Sequence, residues 1–131
     1  VATRRTPWLA DPQGWAATLA RVQAPECGVT PYPPHRARLM RSLTGLIEEM
    51  GARPGFFVPP MARCDFGFFE EALSGTRPAL LLRYGPKDAP DLFEASARFD
   101  KNHLTGASAR TFSRRLAGDF LDWLQTHQGT R

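Results

Sequence analysis

Along residues 34–51 the apolar and polar positions separate onto two sides of a helix. At about 100° per residue, Leu39, Met40, Leu43, Leu46, Ile47 and Met50 share one arc, and Arg38, Arg41, Ser42, Gly45, Glu48 and Glu49 share the other. Pro34 has the fixed φ of a first helical turn, and Gly51 can take the left-handed conformation that ends one. A helix from Pro34 to Gly51 is therefore predicted, with its apolar arc buried. Its polar side runs from arginine to glutamate, against the helix dipole, which favours acids first and bases last. Asp11 and Pro12 read as an N-cap and a first-turn proline. Trp15, Leu19 and Val22 follow at helical spacing, which predicts a helix over Pro12–Gln23. Between these two helices Ala24–Pro34 holds four prolines and a glycine, a stiff connector. Thr105 is placed to cap a last helix reaching His127, with Phe112, Leu116, Phe120, Trp123 and Leu124 on its inner side.

The middle of the chain changes period. Phe56–Val58 has strand character. Asp65 is placed to cap a short helix carrying Phe66, Phe69 and Leu73, with a strand as the competing reading because of Gly67 and the aromatic content. Ala79–Tyr84 is a short apolar run closed by Gly85-Pro86. In Leu92–Phe99, Phe93, Ala95, Ala97 and Phe99 alternate with Leu92, Glu94, Ser96 and Arg98. These two runs are expected to form an antiparallel hairpin that buries Phe93 and Phe99 and turns Glu94 and Arg98 outward. A pair of strands alone is marginal in water, so Phe56–Val58 or a helix should cover it. The expected fold is α+β, one domain over residues 1–131: two N-terminal helices, a small antiparallel sheet and a C-terminal amphipathic helix.

Charge sharpens this picture. Seventeen basic residues face 13 acidic ones, a net charge of +4, and fifteen of the seventeen are arginine. Residues 1–47 carry six bases and two acids, residues 48–100 six and nine, and residues 101–131 five and two, so basic ends flank a mildly acidic middle. Two cysteines, Cys27 and Cys64, lack metal-site spacing and are expected as thiols in a cytoplasmic protein. No apolar run reaches bilayer length, so no membrane partner is expected.

The sequence offers little catalytic chemistry. It has no GxxxxGK[ST], GxGxxG or GxSxG motif. Cys64, beside Arg63, is the best nucleophile. It would need His35 or His103 as base, and a packed thiol explains it more simply. Asp100-Lys101-Asn102-His103 resembles the start of a calcium loop, but Leu104 and Thr111 stand where oxygen ligands belong, which leaves a strand-to-helix turn. Asp91, Glu94 and Asp100 lack the lysine of a metal-dependent nuclease site, because Ser96 takes its place. No catalytic residue, metal or cofactor is expected.

What remains is arginine beside aromatic residues. Arg4, Arg5 and Trp8 form a basic arm. Arg36, Arg38 and Arg41 open the main helix, and Arg110 and Arg114 lie early in the last one, with Arg115 placed to pair with Asp119. The leading expectation is a non-catalytic binding protein that contacts an anionic partner, nucleic acid first, through Arg36, Arg38, Arg41, Arg110 and Arg114. The alternatives are a protein-interaction module (an inhibitor, immunity or assembly factor) acting through a sheet edge and the phenylalanine segment, with a homodimer through that edge also expected, and a small cysteine-dependent enzyme.

Overall fold

The computed structural model describes residues 7–24, 27, 34–63, 73 and 79–127, without the side chains of Pro7 and Arg36. A one-turn helix α1 (Pro7–Ala10) leads into α2 (Pro12–Gln23), then α3 (Pro34–Glu49), β1 (Gly55–Val58), β2 (Leu80–Arg83), two 3-10 turns (Pro90–Phe93 and Ala95–Ala97) and the long α4 (Gly106–His127). The mixed α+β class is as expected; the sheet is not. The expected Asp65 helix lies outside the described residues.

The caps act where the sequence puts them. The Asp11 carboxylate accepts the Gly14 N–H at 2.8 Å, and Pro12 fills the first helical position. A Cβ on Gly14 would run into that carboxylate, so the tight cap depends on glycine there. At the far end of α3, Gly51 adopts φ of +75°. Its N–H bonds to the Glu48 carbonyl and that of Ala52 to the Ile47 carbonyl, the paired bonds of a Schellman stop.

The face of α3 differs from expectation. Ala37 and Thr44 are buried and Met40 and Ile47 half-buried, whereas Leu39, Leu43, Leu46 and Met50 are exposed. The helix is rotated so that its small residues approach the rest of the molecule. The buried Thr44 hydroxyl is satisfied by donating to the Met40 carbonyl at 2.9 Å.

β2 pairs with β1, not with the residues after it, and the pair is parallel, with Phe56 opposite Leu81 and Phe57 opposite Leu82. The expected antiparallel hairpin is thus corrected. The Leu92–Phe99 run coils into the two 3-10 turns instead, because Pro90 starts a turn and Leu92 and Phe93 are buried in succession, which no alternating strand permits. Phe93 is buried and Glu94 exposed as expected, but Arg98, expected outside, is wholly buried.

The core forms around this coiled segment. Trp15, Ala62, Tyr84, Ala89, Leu92 and Phe93 are buried together, with Trp8, Leu19, Val22, Leu82, Leu104, Phe112 and Leu116 packed around them. The Trp15 indole donates to the Phe93 carbonyl at 2.9 Å and packs against Trp8, with the ring centroids 5.1 Å apart. Arg98 ties the loops together. Its guanidinium donates to the carbonyls of Leu92 (2.9 Å), Pro60 (2.8 Å), Lys101 (3.0 Å) and Asp100 (3.2 Å), and it lies over the Phe93 and Trp15 rings.

Candidate functional site

Helix α4 is held on the sheet by polar contacts along its length. The Tyr84 hydroxyl donates to Asp119 at 2.6 Å, the Trp123 indole donates to the Ala79 carbonyl at 3.0 Å, and Phe112 meets Tyr84 edge to face at 5.0 Å. Arg115 binds Asp91 with both terminal nitrogens, at 3.1 and 3.0 Å, rather than Asp119 as expected. That bond is the main reason the Asp91 carboxyl sits below the ordinary carboxylate range. Burial, followed by the bond to Asp119, pushes the Tyr84 phenol well above its usual value.

The two elements differ greatly in size. A helix of 22 residues is about 33 Å long, and a strand of four residues spans roughly 13 Å. The inner face of α4 therefore overreaches the sheet, and none of its residues is fully buried. The mismatch leaves an open groove of about 440 Å³. Gly55, Phe56, Phe57, Leu80 and Leu82 line it from the sheet, and Ser113, Leu116, Ala117 and Phe120 from α4. Among the described lining residues Ser113 supplies the only polar side chain. Phe57 and Phe120 are both exposed. A groove of this volume and lining can take up apolar groups. The long amphipathic helix was legible in the sequence but the groove was not, because the expected partner strands, Ala79–Tyr84 with Leu92–Phe99, are not the pair that forms.

Compared with family models, curated proteins and solved structures, the chain matches none.

The arginines predicted as a site are divided between two helices. Arg38 and Arg41 are exposed on α3, and Arg110 and Arg114 are exposed one turn apart on α4; none of the four enters an ion pair among the described residues. The Arg36 side chain, Arg4 and Arg5 lie outside the described residues. On α4, Arg110 and Arg114 share the shoulder that adjoins Ser113 and Ala117, so they flank the groove wall. Among the described residues no hydrogen bond or ion pair links Arg38 and Arg41 to Arg110 and Arg114.

The remaining candidates resolve locally. Asp100 accepts the backbone N–H groups of Asn102 (2.7 Å) and His103 (2.8 Å) and meets the His103 ring at 2.8 Å, the expected turn. Burial pulls the Asp100 carboxyl upward, but the bonds from the His103 ring and the two backbone N–H groups outweigh it and hold the group below its usual range. Asp91 is taken by Arg115, and Glu94 accepts the Ser96 hydroxyl at 3.4 Å. Among the described residues no three His, Cys, Asp or Glu side chains gather to hold a metal, and no helix is long and apolar enough to cross a membrane. Cys27 is held in a disulfide, which corrects the free-thiol expectation for it. Cys64, the only other cysteine in the sequence, lies outside the described residues.

Proposed function

We propose that this protein is a non-catalytic interaction module that seats apolar side chains of an acidic protein segment in the groove between β1–β2 and α4. The observation that carries the reading is the groove itself: about 440 Å³, with one polar side chain among its nine described lining residues and with Phe57 and Phe120 exposed. Such a surface suits apolar anchors, which supply most of the energy in protein recognition. Arg110 and Arg114 beside it, and the net charge of +4, select an acidic partner over a basic one. Peptide-display selection against the whole protein tests this. The expected winners combine two or more large apolar residues with flanking Asp or Glu; winners without apolar residues would refute the groove reading.

Nucleic acid is the second reading, favoured by the exposed Arg38, Arg41, Arg110 and Arg114, which enter no ion pair among the described residues. Labelled single- and double-stranded oligonucleotides titrated at several salt concentrations decide it. A backbone binder loses affinity steeply with salt, and Arg38→Ala with Arg41→Ala should flatten the slope by about two units. Binding unchanged in that variant removes the reading. The disulfide at Cys27 supports an oxidising compartment over the cytoplasm expected from the sequence.

A further inference from the structure

We propose that α3 is a self-association surface, on which a second copy of this chain packs its own α3 antiparallel about a twofold axis. On the exposed side of α3, Leu39, Leu43, Leu46 and Met50 are 67%, 43%, 53% and 75% accessible, while Ala37, Met40, Thr44 and Ile47 face the rest of the molecule. The exposed residues follow one another at four, three and four positions, the two-per-heptad seam of paired helices. The same spacing read backwards is identical. In an antiparallel pair Leu39 therefore meets the partner's Met50 and Leu43 meets the partner's Leu46, so the stripe is its own complement, as a twofold interface requires.

Charge selects this occupant and this direction. Arg38 and Glu49 lie on the same shoulder of the stripe, each about 100° from its centre, and neither enters an ion pair among the described residues. Antiparallel packing turns that shoulder toward its own copy. Arg38 then faces the partner's Glu49, twice in each dimer, and the helix dipoles oppose one another. Parallel packing would set arginine ends beside arginine ends. The arginine-to-glutamate gradient that runs against the dipole of α3 thus acquires a role as the complement of a second α3. A seam of one helix on one helix is below the roughly 1,200 Å² of stable interfaces, so the dimer is reversible.

Sedimentation equilibrium of the full chain from about 1 to about 500 μM tests the proposal. The mass is expected to rise from 14.6 kDa toward twice that value. Arg38→Glu and Glu49→Arg should each weaken association about three- to tenfold, and the double reversal should restore it. Leu43→Lys with Leu46→Lys, both on the exposed side, should leave a folded monomer by circular dichroism. A chain that stays monomeric throughout overturns the proposal. So does association that ignores the lysine pair, or single reversals that the double variant fails to rescue. None of these outcomes depends on the α4 groove, so the two surfaces stand or fall separately.

Discussion

Arg98 brings a guanidinium into the least accessible part of the molecule and surrounds it with main-chain carbonyls. Burial pushes its pKa down to about 10, so it remains charged at neutral pH. Arg98→Met preserves much of the stem but strands the carbonyls of Leu92, Pro60 and Lys101. It should cost about 3 kcal/mol or more in a urea melt, since each buried polar group left unpaired costs about 1–3 kcal/mol. Lysine at this position should rescue little, because it cannot span the same fork of acceptors. The exposed Leu43 provides the contrast. Leu43→Ala should cost under ~1 kcal/mol in dilute protein, whereas Phe93→Ala, in the core, should cost about 3–5 kcal/mol. Equal losses would mean that α3 buries the arc expected from its hydrophobic pattern. Nothing in the residue types distinguished Arg98 from the exposed arginines, because its burial depends on carbonyls that only the coiled 92–101 loop brings together.

Elements were legible where their signals are local. The Asp11 cap, Pro34 and Gly51 bounded α2 and α3 correctly, since a cap needs only neighbouring residues. The pairing of β2 was not legible, because its partner β1 lies more than twenty residues earlier across a parallel connection. The face of α3 was misjudged because Ala37 and Thr44, which allow close approach, carry little hydrophobic signal of their own. The docking of α4 leads to a pH prediction. Asp91 and Asp100 have lowered pKa values, so their contribution is present above the ordinary carboxylate range and lost as pH falls through it. The phenol of Tyr84 is raised, so its contribution is present below pH of about 10, where the free phenol would ionise, and lost above it. Melting temperature should therefore fall on both sides of neutrality. Asp91→Asn should shrink the acid limb, and Tyr84→Phe the alkaline one. Limbs unchanged in these variants would place the titrating groups elsewhere.

For the whole molecule, the proposed function joins the groove to the nearby arginines of α4: apolar anchors of a partner would supply affinity, and charge would choose that partner. Only its parts were readable in sequence. Arg110 and Arg114 were identified there as a site, but the groove beside them exists because a long helix crosses a short two-stranded sheet. The most direct test fills the groove without touching the core. Ala117 is exposed on α4 and lines the groove, so Ala117→Trp should occupy the space and leave the fold intact. Fluorescence anisotropy with a labelled display-selected acidic peptide should then show at least about a tenfold loss of affinity, with a smaller, salt-sensitive loss in Arg110→Glu with Arg114→Glu. Undiminished binding by the Ala117→Trp protein would contradict the account.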